Sequence, residues 1–465
     1  MGVDLPVVVA LAAYALVLAV LDRASGTREK LEYLLAGRRL TLVPFVATLV
    51  ATWYGGILGV GEFSYRFGLA NWLVFGVPYY LAALLFAFGL AARARKTAVL
   101  SIPEQLALAY GRPTAILGAW LVLLMATPAA YLLMLAQLAE VYLGFSRPWA
   151  LGAATALAVG SVLWGGFRSV VRANLLQFAL MYLAFLVLLP VALARLGGFP
   201  GLWAALPSSH TSLTGGLAFQ AIAVWYVIAL QTLVEPTFYQ RCYAAASPQV
   251  ARTGVLVSVA FWVLFDFLTT FSGLAARALL PQLADPGLAY PALGKLLLPP
   301  PVAALFAVGL FATVSSTAHS YLFLAAATLG HDLLPAAWRQ RERQAIALGL
   351  WLVGAAAAGL AWVLGSAVTI WHHVGSVVTS ALLLPLVLAH GPARWRFSPQ
   401  GAGVAVGGTP LLATAWLLAA EAERYPLGLE PVFPALAFSA LVWFLDRTLP
   451  KLRARLIGNG GKEPA

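Results

Sequence analysis

Charge and cysteine are what this 465-residue chain has least of. Only 10% of its residues are Asp, Glu, Lys or Arg, 62% are hydrophobic, and the mean hydropathy is +0.87. A soluble domain of this length needs far more polar surface to cover its core, so soluble folds are excluded and the chain reads as an all-α polytopic membrane protein. The long apolar runs show no period-two alternation, which excludes a transmembrane β-barrel. One cysteine, Cys242, excludes a disulfide framework and any CxxC metal or redox motif. The histidines lack metal-ligand spacing: His331-Asp332 and His372-His373 read as gate or helix-end residues. No polar domain is present to offer the formal charge of +12 to nucleic acid, so the positive charge reports topology instead. The first apolar run, Leu5 to Leu21, follows Asp4 and no basic residue, and so reads as a membrane span rather than a cleavable signal.

Apolar runs set against polar punctuation give about 13 transmembrane helices, over residues 4–22, 41–67, 69–93, 113–143, 147–165, 174–196, 216–241, 252–281, 300–329, 343–364, 366–391, 402–420 and 430–449. All but six of the 29 Lys and Arg fall in loops after odd-numbered spans or in the C-terminal tail; the six are Arg66, Arg147, Arg195, Arg277, Lys295 and Arg424. The positive-inside rule then places the N-terminus outside and the C-terminus in the cytoplasm, in a multi-pass protein of the plasma (inner) membrane. With no soluble domain appended, function lies within the bundle, the lipid bilayer is its solvent, and a monomer is the expected working unit.

Two spans carry helix-breaking chemistry. Span 2 holds Tyr54-Gly55-Gly56, then Gly59 and Gly61. Glycine weakens a helix by about 1 kcal/mol per residue and frees carbonyls, so a break is expected there, with close helix packing as the alternative. Span 7 holds Gln231, Thr232 and then Glu235-Pro236, and the proline removes a backbone donor. Two interrupted helices five apart are the pattern of an inverted-repeat transporter, with substrate and ion sites at the interruptions. Of the acids inside predicted spans, four are singled out: Glu62, Glu140, Glu235 and Asp266. At a helix centre each costs about 2.5 to 3.5 kcal/mol, so each is expected to face a cavity or a partner. Asp266, midway along span 8, is the foremost coupling or gating candidate, followed by Glu235; a hydrogen-bonded packing role beside Thr269 and Thr270 is the alternative for Asp266. In span 9, Ser315 and Ser316 offer hard oxygen ligands for a small cation, although serines in membrane helices also back-bond to the preceding turn, and the residues alone leave both readings open.

In order and spacing these residues resemble the sodium/solute symporter family. Tyr33-Leu34-Leu35-Ala36-Gly37-Arg38 is similar to its YFLAGR motif, Ala51-Thr52-Trp53 to ATW, Tyr65-Arg66-Phe67-Gly68 to YRYG, and Ser101-Ile102-Pro103-Glu104 with Tyr110-Gly111 to TIPE…RYG. Gly165-Gly166-Phe167-Arg168 with Gln177, then Gln240-Arg241, then Ser315-Ser316-Thr317-Ala318-His319-Ser320, continue the series to about Gly375. The resemblance implies a LeuT-like 5+5 inverted repeat with broken helices. Residues 1–40 then form an extra helix and loop, 41–196 the first five-helix repeat, 197–391 the second, and 392–465 two further helices and a tail. It implies a sodium ion as the coupling ion, held by the carbonyls of Ala51, Tyr54 and Ala312 and the hydroxyls of Ser315 and Ser316. Counting back from Gly68 instead gives Leu49 and Thr52; the first pair is preferred because it stands directly before the glycine break. Substrate is expected against Gly55, Gly56, Phe75, Gln231, Thr232 and Trp371. Sugar-carrying members line these places with Gln, Glu and Asn, whereas this chain has Gly56, Phe75 and Ile228, so the small-molecule substrate expected is a carboxylate or an amino acid-like zwitterion. Some members bind a second sodium through an Asp on the sixth span and hydroxyls on the ninth. Here Asn174, Ala318 and His319 stand at those places, so one sodium per substrate is expected.

The leading function is therefore sodium-coupled import of a small organic solute by alternating access. The alternatives are a proton-coupled transporter of the same fold and a nontransporting solute-binding receptor. An enzyme is not expected, since no nucleophile has a neighbouring base.

Overall fold

The computed structural model describes residues 4–364, 367–420 and 425–458. Arg424, Lys462 and Ser366, all used in the span and loop assignments, lie outside these residues. The long helices are α1 (Leu5–Ala24), α2 (Leu42–Phe67), α3 (Trp72–Lys96), α4 (Arg112–Leu143), α5 (Arg147–Gly160), α6 (Phe167–Leu196), α7 (Phe219–Ala244), α8 (Pro248–Leu279), α9 (Pro300–Asp332), α10 (Glu342–Leu364), α11 (Ala367–Ala389), α12 (Pro399–Leu418) and α13 (Val432–Gly458). Among the described residues, eleven helices are long and apolar enough to cross a membrane. Outside that set are α5, whose 14 residues span about 21 Å against a hydrocarbon core of about 30 Å, and α13, which carries Arg447, Lys451, Arg453 and Arg455 in its second half.

The glycine and proline signals act locally where they stand. α2 runs as α-helix to Trp53, tightens to a 3-10 turn over Tyr54–Gly56 and resumes at Ile57. α7 tightens over Ala229–Leu233 and restarts at Pro236, where the Glu235 carboxylate caps the new helix by accepting from the Thr237 amide at 3.3 Å. The sequence reading missed further irregularities. α4 breaks between Met125 and Ala129, because Pro128 has no N–H to continue the turn. In α3, π-helical turns occupy Trp72–Gly76 and Ala87–Ala91.

α9 is the axis of the bundle. Every residue from Phe306 to Ala326 is buried, which is why its sequence is apolar or small all round rather than striped. It packs against α6, α1, α10, the second half of α4 and the broken stretch of α2. Peripheral helices turn Leu5, Val9, Leu16, Leu411 and Leu418 outward, as contact with lipid requires.

One end of the bundle is cross-braced by polar contacts. Lys30 pairs with Glu342 at 2.8 Å, His331 reaches Glu104 at 2.8 Å and Glu342 at 3.0 Å, and Ser101 donates to Asp332 at 2.5 Å. Burial acts to raise the Glu104 carboxyl, but its hydrogen bonds to His331 and the Leu100 amide outweigh this and hold it below the usual carboxylate range. At the same end the backbone of Leu40, before α2, is hydrogen-bonded to that of Ala244, the last residue of α7, at 3.0 Å and to that of Ala246 at 2.8 Å. The two broken helices are thus tied together.

Candidate functional site

The 3-10 turn in α2 exposes carbonyls to the hydroxyl-bearing face of α9. Ser316 Oγ lies 2.7 Å from the Ala51 carbonyl, and Thr317 Oγ1 donates to the Thr52 carbonyl at 2.6 Å. Ala51 and Ser316 are therefore brought together, and Thr52, the residue of the other register, also faces α9. The Tyr54 side chain leaves this contact, its hydroxyl donating to Asp266 Oδ1, and only its backbone carbonyl is a ligand candidate. Ala312 is buried, and its carbonyl accepts from Ser315 Oγ at 3.3 Å. Ser315 turns its oxygen away from α2: Tyr14 OH of α1 stands 2.7 Å from it, and Gln177 Nε2 of α6 donates to it at 3.1 Å.

Beside the break lies a cavity of about 160 Å³. Gly56, Phe75, Gln231 and Trp371 line it, together with Tyr54, Asp266 and Glu235. Trp371 covers the break so closely that a Cβ on Gly56 would meet its Cη2 at 2.5 Å, so glycine is required there by contact with the indole. Phe75 stacks edge-on against Trp225 at 4.7 Å, and Gln231 Nε2 donates to Tyr79 OH at 3.2 Å. Two expected substrate residues are not on the wall. Thr232 is fully buried with no hydrogen-bond partner among the described residues, and Gly55 packs against the Thr317 side chain. Both follow from helical rotation: adjacent residues point about 100° apart, so Gln231 and Gly56 face the cavity while their neighbours face away.

Asp266 is buried, and both of its oxygens accept tyrosine hydroxyls, from Tyr54 and Tyr80. Glu235 accepts from the Thr237 hydroxyl at 3.2 Å as well as capping the helix. The other two acids singled out in the sequence have ordinary partners: Glu62 pairs with Arg66 at 3.0 Å and Glu140 with Arg147 at 2.6 Å. Among the described residues that line the cavity, Asp266 and Glu235 are acidic, no Lys or Arg is present, and the rest of the wall is largely aromatic, with Trp53, Trp225, Trp262, Tyr79, Tyr131 and Tyr321.

One turn beyond Ser316, the structure holds a cation that sequence reasoning placed in a loop. Arg241 is fully buried. Its Nη2 donates to Thr52 Oγ1 at 2.7 Å, Ser320 Oγ at 2.9 Å and Thr48 Oγ1 at 3.2 Å, and the guanidinium lies 5.2 Å over the Phe167 ring. Among the described residues no carboxylate lies within ion-pair distance of it. Asn174 of α6 closes the same cluster, donating to Thr48 Oγ1 at 2.6 Å and Thr52 Oγ1 at 3.1 Å. His319 is buried with neither ring nitrogen partnered among the described residues. The Gln240-Arg241 pair marked the position, but only the return of α7 into the bundle shows that the charge points inward.

Comparison with known proteins places this geometry. The sodium:solute symporter family matches residues 33–390. The sodium/pantothenate symporter of Haemophilus influenzae (strain ATCC 51907 / DSM 11121 / KW20 / Rd) is 26% identical over 352 residues, which is 72% of each chain. Among solved structures, a substrate-bound, outward-open sodium-coupled sialic acid symporter described as revealing a novel sodium site superposes with a TM-score of 0.78 at 15% identity, over 96% of this chain and 97% of that one. A nucleobase-cation-symport-1 family transporter, in a closed conformation with bromovinylhydantoin bound, superposes with a TM-score of 0.59 at 13% identity, over 90% and 94% of the two chains. The fold is LeuT-like.

Proposed function

We propose that this chain, which belongs to the sodium:solute symporter family, couples inward sodium movement to import of a small zwitterion across the α2–α9 contact. It is a multi-pass membrane transporter and not an enzyme, and its coupling ion is sodium. The observation that supports the ion site is the meeting of Ser316 Oγ and the Ala51 carbonyl at 2.7 Å, on two helices that alternating access moves relative to one another. Ala51, Tyr54, Ala312, Ser315 and Ser316 remain the ligand set of this proposal, with repeats over residues 41–196 and 197–391 and a monomer as the working unit.

The solute class follows from the cavity wall. A bare carboxylate would bring negative charge between Asp266 and Glu235 with no Lys or Arg among the described wall residues to offset it, and His372 on the wall already faces Glu430 at 3.0 Å, whereas an ammonium group is matched by those acids and by the surrounding aromatic faces. The carboxylate of a zwitterion is served by the start of the outer half of α2, where Gly56 and Gly59 border the cavity and the first amides of Ile57–Phe67 carry the positive end of the helix dipole. In proteoliposomes with an inward sodium gradient, amino acid-like zwitterions should be taken up and simple carboxylates should not; uptake that ignores sodium and follows pH would overturn the coupling. Asp266→Asn should reduce that uptake at least tenfold while shifting the melting temperature by only a few degrees, and wild-type uptake would assign Asp266 to packing with Tyr54 and Tyr80.

The proposed orientation, N-terminus outside and C-terminus cytoplasmic, needs a probe other than the native thiol, because Cys242 is fully buried. In a Cys242→Ser background, Arg112→Cys and Ser212→Cys place thiols at exposed positions at the start of α4 and before α7. An impermeant maleimide applied to right-side-out vesicles should label position 212 and spare 112 until the membrane is opened. The reverse pattern would invert the topology.

A further inference from the structure

The helix outside the two repeats reaches the candidate ion site. Tyr14, midway along α1, is buried, and its ring packs with Leu18, Ala173, Val308 and Ala312. Its hydroxyl stands 2.7 Å from Ser315 Oγ and accepts from Gln177 Nε2 at 2.7 Å. Gln177 Nε2 also donates to Ser315 Oγ at 3.1 Å, and Ser315 Oγ itself donates to the Ala312 carbonyl at 3.3 Å.

A serine hydroxyl has one proton and two lone pairs. The Ser315 proton goes to Ala312, so the Tyr14 proton goes to Ser315, and Gln177 takes the second lone pair. Three neighbours then fill the Ser315 oxygen. Ser316 is different, because among the described residues its oxygen has only the Ala51 and Thr313 carbonyls, each at 2.7 Å, as partners, and both are acceptors that leave its lone pairs free. The two adjacent serines are therefore unequal: Ser316 is ready for a cation, and Ser315 must first give up a partner.

We infer that Tyr14 is a positioning residue that competes with sodium for Ser315. Sodium binding transfers Ser315 from α1 to the ion, which lowers sodium affinity and eases release, and it makes α1 sense whether the ion is bound. This rests on the sodium site proposed above. The contact also gives α1 a part in the transport cycle that its position outside the repeats does not suggest. Gln177 stays with Ser315 in both states, because its amide is fixed on α6 and α6 packs along α9.

The test is Tyr14→Phe in the full-length protein, which keeps the ring and its packing and removes only the hydroxyl. Two sodium titrations are read: half-saturation of solute uptake in proteoliposomes, and the sodium-dependent rise in melting temperature of purified protein without solute. Loss of one competing hydrogen bond should lower both midpoints by about threefold to tenfold. Sodium efflux in exchange experiments should slow correspondingly. A purely structural role predicts a lower melting temperature with unchanged midpoints, and unchanged or raised midpoints overturn the inference. Tyr14→Leu, which fills part of the same space with no hydrogen-bonding group, serves as a second variant should the first fold poorly, with the same direction expected. Ser316→Ala separates the two layers of the argument: if it leaves sodium activation untouched, the sodium site itself is wrong. If it weakens sodium while Tyr14→Phe does nothing, only the role of Tyr14 falls.

Discussion

Replacing Ser316 by Ala should weaken sodium activation of transport by roughly ten- to hundredfold, the equivalent of about 1 to 3 kcal/mol for a lost oxygen ligand. The size follows from the site. A sodium ion gives up hydration water on entering the bundle, and each protein oxygen missing from its shell leaves part of that dehydration unpaid. Ser316 is the hydroxyl that already spans from α9 to the freed Ala51 carbonyl of α2, at 2.7 Å, so removing it takes away both a ligand and the bridge between two moving helices. Ser315→Ala should have a smaller effect in the same direction, because its oxygen is shared with Tyr14 and Gln177. Sodium dependence of uptake in the two variants, measured at saturating solute, checks the order. Equal losses would mean that Ser315 leaves Tyr14 at no cost to sodium binding, and no loss in either would remove sodium from this place.

The contrast between the two serines marks where sequence reasoning ends. The expected apolar runs each lie on a helix, because hydropathy over twenty residues is a property of the run itself. The interruptions of α2 and α7 were legible for the same reason, since Gly55-Gly56 and Pro236 break the backbone they belong to. The break of α4 had an equally local cause in Pro128, but the apolar residues around it hid it within one long run. The π-helical turns of α3 each hold a glycine, Gly76 and Gly89, but a lone glycine within an apolar run does not announce a π turn. Face assignment stops short of single-residue resolution: Thr232 and Gly55 stand next to Gln231 and Gly56, which the helix turns towards the cavity. Tyr14 and Ser315 are 301 positions apart, and nothing in either local sequence announces the other. Arg241 could be located on the chain but not aimed, because a basic residue at a span's end reads as a loop cation until its helix is seen to bury it.

That buried arginine sets the expected stoichiometry. With one sodium per solute, a tenfold sodium gradient supports about tenfold accumulation of a neutral solute, and with two about a hundredfold, so the difference is large and measurable. Relatives that take a second ion use an Asp on the sixth span and hydroxyls on the ninth, whereas this chain has Asn174, Ala318 and His319. The structure adds a stronger reason against a second ion. Thr48, Thr52 and Ser320, the hydroxyl oxygens gathered there, already accept from the Arg241 guanidinium at 2.7 to 3.2 Å, and Asn174 brings no negative charge to neutralise it. A free cation entering this cluster would lose those oxygens to Arg241 and be repelled by it across a dry interior, where like charges are least screened. The reversal potential of solute-dependent current in proteoliposomes should therefore give a coupling ratio of one, with a sodium Hill coefficient near one. Arg241→Met should abolish most transport, since it leaves three hydroxyls without their shared donor and unties α7 from α2 and α9. In the triple variant Asn174→Asp, Ala318→Ser, His319→Ser, the new carboxylate offsets the guanidinium and the added hydroxyls complete a shell, so the ratio should move towards two. A ratio of two in the unaltered chain would show that the Arg241 charge does not exclude a second ion, and a ratio fixed at one in the variant would place the exclusion somewhere other than this cluster.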